Sequence, residues 1–256
     1  MLPEERKECI YRHIFTRRSA TIKELAKLMS VSEMTIRRDI RGLEEEGLII
    51  GIHGGARLNA VIHHELPYAD KAQLHAKAKK KLGQFAASLV QEGQVVYLDA
   101  GTTSYEIARQ LGERFHLTVI TNDFSIAAYL MHKAQVNLFH TGGRVDKRNM
   151  SGVGFYAASV IERMNIDIAF LSASSWDLIH GISTPYEEKQ LVKNAVISSS
   201  ARSYLVADSS KYGSYGFYSV CSLEKLQGVI TDEDIGETLV EEMNAHGVNL
   251  HLVNIA

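Results

Sequence analysis

Cysteine, proline and long apolar runs are all scarce in this chain of 256 residues. The two cysteines, Cys9 and Cys221, stand far apart and outside any CxxC spacing, so neither a disulfide framework nor a cysteine-based zinc site is indicated. With only 3 prolines in a composition 45% hydrophobic and 23% charged, extended disorder and low complexity are excluded, and a packed globular protein is expected. No stretch approaches the roughly 18 uncharged apolar residues that a membrane-spanning helix needs, and the opening MLPEERKE is too acidic and polar for a secretory signal. A cytoplasmic location without a membrane partner follows as the expectation. The His63–His64 pair has no third ligand at helical or hairpin spacing nearby, and no GxGxxG fingerprint marks a dinucleotide site, so no metal and no cofactor are expected.

The overall net charge of -2 conceals an asymmetry. Residues 1–57 hold 11 Lys and Arg against 9 Asp and Glu, whereas the remainder holds 17 against 21. The excess is small and alone says little about a polyanion partner. Local pattern says more. Three helices are expected in the first segment, over residues 3–15, from Thr21 to the Met29–Ser30 pair, and over residues 33–46. Pro3, Glu4 and Glu5 suit the start of the first. TIKE fits a capping box at Thr21, with Glu24 reaching back, and Ser32 serves as the N-cap of the third helix.

That third helix buries Ile36, Ile40 and Leu43 at spacings of four and three, leaving Thr35, Arg37, Arg38 and Arg41 off the apolar face. Two helices joined by a short turn, the second presenting basic and hydroxyl groups, have the geometry of a helix-turn-helix, in which such side chains meet base edges and phosphates. A bland alternative is a solvated face on which Asp39 and Glu44 to Glu46 balance the arginines. After Gly47, LIIGIHGGARL reads as a hairpin turning at Gly54–Gly55, a wing whose tip holds His53. The order of cap, turn, basic helix and Gly-Gly hairpin favours DNA binding, through Ser32, Thr35, Arg37, Arg38, Arg41, His53, Gly54 and Gly55.

SVSEMTIRRDIRGLEEEGLI followed by HGGA closely resembles the N-terminal winged helix-turn-helix signature of the DeoR family of bacterial transcriptional regulators. One departure is visible. The family usually places Arg two residues before the wing His, where this chain has Gly51.

Residues 58–78 read as a polar linker between a DNA-binding domain at 1–57 and a larger domain at 79–256. In the latter, VVYLD, LTVIT, VNLFH, IAFLS, SYLVA, VIT and VNLHLV are short apolar runs separated by segments of helical spacing such as SYEIARQLGE, FSIAAYLMHK and KQLVKNAVISSSA. Uniformly apolar runs suit strands covered on both faces, hence an α/β fold with a Rossmann-like parallel sheet. Ligands in such sheets sit at the carboxyl ends of the strands. DAGTTS follows the first run and opens a helix whose amides and hydroxyls suit an anion. TND, TGG and DSSK end later runs, and Gly, Thr and Lys among carboxylates suit a phosphorylated polyol.

DAGTT, TN, TGG, DIAF, GISTP, VKNA and ADSSKYG resemble the effector domain of the same family, which implies a fold shared with ribose-5-phosphate isomerase and a phosphorylated sugar effector. Carried over by position, that resemblance places Asp99, Gly101, Thr102, Thr103, Thr121, Asn122, Gly142, Gly143, Asp167, Glu187, Lys193, Asp208 and Lys211 in the pocket. A rival reading is a sugar-phosphate isomerase with an accessory DNA-binding domain. The isomerase pattern calls for a Glu base at or beside position 193, where this chain has Lys193, although Glu187 and Glu188 are near. The expectation is a non-enzymatic transcriptional regulator, more a repressor than an activator, with operator DNA and a sugar or sugar-acid phosphate as partners. Paired half-sites and the family both imply a homo-oligomer, dimer or tetramer.

Overall fold

A computed structural model describes residues 2–112, 116–133 and 135–255. The chain divides after His64 into two compact units.

The smaller unit runs α1 (Pro3–Arg17), β1 (Ser19–Thr21), α2 (Ile22–Met29), α3 (Glu33–Glu45), β2 (Ile49–Ile52) and β3 (Gly55–Leu58). Ile10, Ile14, Leu25, Ile36 and Leu43, from the apolar stripe of each helix, form its buried centre together with Ile49 of β2. Thr21 caps α2 by accepting from the Glu24 amide at 3.1 Å, but the Glu24 carboxylate turns to His13 at 2.9 Å, so only half of the expected capping box forms. Ser32 caps α3, accepting from the Thr35 amide at 3.2 Å. The antiparallel sheet has the order β1-β3-β2. Its third strand, β1, spans three residues and leaves too short a pattern to read in advance. β1 can pair because residue 55 is glycine: a Cβ there would lie 2.4 Å from the Ala20 carbonyl oxygen.

Asp39 does not join the solvated face of α3. It is buried, and the Arg6 guanidinium grips it with Nε 2.6 Å from Oδ2 and Nη2 3.1 Å from Oδ1. In the bland alternative Asp39 would balance the α3 arginines on a solvated face; instead this carboxylate ties α3 to α1.

In the larger unit α4 (Tyr68–Gln73) and α5 (Ala76–Ser88) precede a sheet of β4 (Val95–Leu98), β5 (Leu117–Thr121), β6 (Val136–His140), β7 (Ile168–Leu171), β8 (Ser203–Val206), β9 (Gly228–Asp232) and β10 (Leu250–Val253). Between them lie α6 (Thr102–Leu111), α7 (Phe124–Leu130), α8 (Phe155–Ile161) and α9 (Glu187–Ser199). Glu113, expected at the end of the α6 segment, lies outside the described residues. The seven strands are the seven apolar runs. All pair in parallel, in the order β10-β9-β8-β7-β4-β5-β6. Alternate residues enter two cores: Tyr97, Leu171 and Leu205 face one, and Leu98, Phe170 and Val206 the other. Burial on both faces is why the runs are uniformly apolar. Strand order reverses between β4 and β7, so the chain leaves these two neighbours in opposite directions and opens a crevice at their carboxyl ends.

The segment 58–78 is structured from Tyr68 onward by α4, and Glu65 within it is buried. Together with the division after His64, this places much of the expected linker inside the larger unit.

Candidate functional site

On the smaller unit, α3 exposes Arg37, Arg38 and Arg41, with Ser32 at its start and Thr35 half-buried. The Thr35 hydroxyl lies 3.0 Å from that of Ser32, and Arg37 stands 4.0 Å from the Glu33 carboxylate, a surface pair of little strength. His53 and Gly54 are exposed at the hairpin turn, but Gly55 is buried against β1 and does not face outward. At Gly51 the amide donates to Glu44 Oε1 at 2.8 Å, and a Cβ there would meet that carboxylate at 3.1 Å. Glu44 of α3 thus places a carboxylate beside position 51, where the resemblance leads one to expect arginine.

On the larger unit, a narrow cavity of about 60 Å³ opens at the strand-order reversal. The loop after β4 supplies Asp99, Gly101, Thr102 and Thr103, and the loop after β7 supplies Ser172. Asp208 and Lys211 enter from the end of β8, and Lys189 and Lys193 from successive turns of α9. Lys193 Nζ donates to Asp99 Oδ2 and, at 2.6 Å, to the Ser172 carbonyl. The same Asp99 oxygen accepts from the Ser172 amide at 3.0 Å. α6 points its amino end at the cavity, and the Gly101 amide before it is anchored on Asp123 Oδ2 at 3.1 Å. Asp123 also caps α7, accepting from the Ser125 and Ile126 amides at 2.7 and 2.9 Å; burial nonetheless raises its pKa to about 6.

Five lysines (71, 79, 189, 193 and 211) and three carboxylates (Glu65, Asp99 and Asp208) line this space, an excess of two positive charges. Burial lowers the ammonium groups of Lys71 and Lys79 to about 8, despite the attraction of Glu65 for one and Asp208 for the other. Burial also opposes ionisation of Asp208, yet Lys211 and the Ser210 hydroxyl outweigh it and hold this carboxyl below its ordinary range. The chemistry available is anion binding: buried cations, a positive helix end and hydroxyl groups.

Of the residues expected in the pocket, Asp99, Gly101, Thr102, Thr103, Asn122, Lys193, Asp208 and Lys211 line it. Thr121 lies just beneath, donating to the Leu98 carbonyl at 2.7 Å and accepting from the Asp123 amide, so it shapes the loop. Gly142 and Gly143 make the turn after β6 in the left-handed region, outside the cavity. Asp167 stands at the opposite end of the sheet: it precedes β7, and its carboxylate accepts from the Val95 amide at 2.7 Å. Glu187 is exposed at the start of α9 and also lies outside.

Glu65, Lys71, Lys79, Asn149, Ser151, Ser172 and Lys189 line the cavity without having been anticipated. Two of them had a readable signal. Ser172 follows an apolar run as Asp99 does, and Lys189 precedes Lys193 by four residues, hence shares its helix face.

A winged helix-turn-helix head, followed by a parallel-sheet unit with a lysine-lined cavity at its strand reversal, has the build of a DNA-binding regulator with a small-molecule sensor. Residues 6–61 match the DeoR-like helix-turn-helix domain and residues 74–233 the DeoR C terminal sensor domain; the chain belongs to the DeoR family of transcriptional regulators. It is 42% identical over 253 residues to an uncharacterized HTH-type transcriptional regulator of Haemophilus influenzae, covering 99% of this chain and 98% of the relative. It is likewise 42% identical to the uncharacterized regulator YgbI of Escherichia coli, over 93% of each chain, and 32% identical to the repressor GlcR of Bacillus subtilis, over 98% and 96%. Among solved structures, the ribose 5-phosphate isomerase A of Methanocaldococcus jannaschii is similar at a TM-score of 0.39 and 19% identity, covering 52% of this chain and 53% of that one. No helix among the described residues is long and apolar enough to cross a membrane.

Proposed function

We propose that this protein is a repressor of a carbohydrate or sugar-acid catabolic operon, and that a phosphorylated sugar bound in the lysine-lined cavity sets its affinity for operator DNA. The observation that bears most weight is the excess of two buried positive charges facing the amino end of α6. That excess matches a phosphate monoester dianion, and buried cations are tolerated where such a charge arrives to pair with them. Relatives whose names record a repressor, such as GlcR and the putative aga operon repressor, agree with the reading.

The isomerase alternative is disfavoured by the state of the acids. Within the cavity each carboxylate faces at least one lysine, Glu188 is held by Arg144, and Glu187 is exposed outside. Lys193, at the position of the isomerase base, is bound to Asp99 and a carbonyl. A ligand controls DNA binding only through its different affinities for two arrangements of the protein, and a coupling of about 1–3 kcal/mol changes affinity roughly 5- to 150-fold. Exposed Phe155 and Tyr156 at the start of α8 offer an apolar surface for self-association; a monomeric mass in solution removes that part of the reading.

Two measurements test the whole. Arg37→Ala is expected to weaken operator binding by about 1–3 kcal/mol if the side chain reads a base. An unchanged isotherm removes that role. A thermal-shift screen of sugar phosphates is expected to yield a hit that adds about 2.7 kcal/mol of stability at 100 times its Kd. Turnover of that hit restores the enzyme reading.

A further inference from the structure

The cavity holds a carboxylate that the rest of the fold does not require. Glu65 is buried, and its Oε2 accepts from Lys189 Nζ at 2.7 Å and Lys71 Nζ at 3.3 Å. Those two cations outweigh its burial and hold it ionised, well below the usual carboxylate range. Lys71 also donates to Asn149 Oδ1, and Lys189 stands 3.5 Å from Asp146. Beside them the Ser151 hydroxyl is buried, lines the same cavity and finds no hydrogen-bond partner among the described residues. The remaining space, about 60 Å³, has room for only a few waters. A sugar phosphate is larger, so some side chain gives way when one enters.

We propose that the Lys71–Lys189 corner, with Asn149 and Ser151, is a second anion subsite, filled by Glu65 in the free protein and taken over by a carboxylate of the ligand. The effector is then a phosphorylated sugar acid. This rests on the reading above, with the phosphate at the Gly101–Thr103 end. Charge supports it: with Glu65 withdrawn, the five lysines face two carboxylates, and an excess of three matches a phosphate dianion plus a carboxylate. Chemistry supports it too, because the two ammonium groups already present the donors a carboxylate takes, and the Ser151 hydroxyl adds another.

The test titrates the full chain with matched pairs of four, five and six carbons, each an aldonate phosphate against the corresponding aldose phosphate, with inorganic phosphate as reference. In at least one pair the aldonate phosphate is expected to bind about tenfold tighter or more, the size of one charge-assisted hydrogen bond. Glu65→Gln, which removes the internal competitor, is expected to tighten aldonate phosphate binding further, and Glu65→Asp, which keeps the charge on a shorter arm, to fall between. Lys189→Met is expected to bring the ratio towards one, and Lys189→Arg, a milder change should the first misfold, to retain it. Equal or tighter binding of every aldose phosphate overturns the second subsite alone. No binding by any compound, inorganic phosphate included, overturns the anion receptor with it.

Discussion

Lys193→Met is expected to destabilise the larger unit by about 3–5 kcal/mol, the cost of stranding a buried charge whose partner is removed. Asp99 is only 3% exposed, and its Oδ2 takes the Lys193 ammonium together with the Ser172 amide and hydroxyl, each at 3.0 Å. Without the lysine, neutral donors are left to hold a full charge. The double variant Asp99→Asn, Lys193→Met is expected to recover most of the loss, since both the charge and the need to neutralise it disappear. The single tryptophan, Trp176, is fully buried in the same unit and reports urea unfolding directly. Additive losses in the double variant refute the coupling. The pair then has a structural share in the site: it ties the ends of β4 and β7 together at the point where the sheet opens.

The second large effect concerns Lys79. Binding of a phosphate monoester is expected to weaken by about 10- to 150-fold in Lys79→Met, equivalent to the 1.5–3 kcal/mol of a hydrogen bond to a charged group. Its pH dependence gives a sharper signature. A bound dianion favours protonated Lys71 and Lys79, whose ammonium groups lie near 8 in the empty cavity, so binding takes up protons as pH rises through that value. Affinity is therefore expected to fall above about pH 8. It also falls below about pH 6, where the monoester loses its second charge and Asp123, which anchors the Gly101 amide, takes up a proton. Calorimetric titration from pH 5 to 9.5 is expected to give a plateau between these limits, with a weaker alkaline fall in Lys79→Met. A flat profile above pH 8 refutes the involvement of either lysine.

The fold was legible because its central strands are covered on both sides. A strand packed between two helix layers has no polar face, so the central strands announce themselves as apolar runs, while the half-exposed edge strands β6 and β10 carry Asn137 and His251; the parallel order follows from the helices between the strands. The loop after β4 was legible for a related reason: a glycine and hydroxyl residues directly after such a run stand at a strand's carboxyl end. Asp167 fails the same rule, since it precedes its strand and lies at the other edge. Glu65 and Lys71 were hidden because burial by charge pairing leaves no periodicity, and a polar segment held inward by ion pairs has the composition of one in water. The pairing of Asp39 is hidden in the same way, its partner Arg6 lying a whole helix earlier.

The inward turn of Asp39 affects how DNA binding responds to electrolyte. Counterions screen exposed charges within about a nanometre, but they weaken a partly buried ion pair between two helices less. Since α1 and α3 are fastened by such a pair, raising ionic strength is expected to leave α3 seated on α1. If the α3 arginines meet operator phosphates as proposed, the slope of operator affinity against salt concentration is expected to count those contacts, with little contribution from loosening of the head itself.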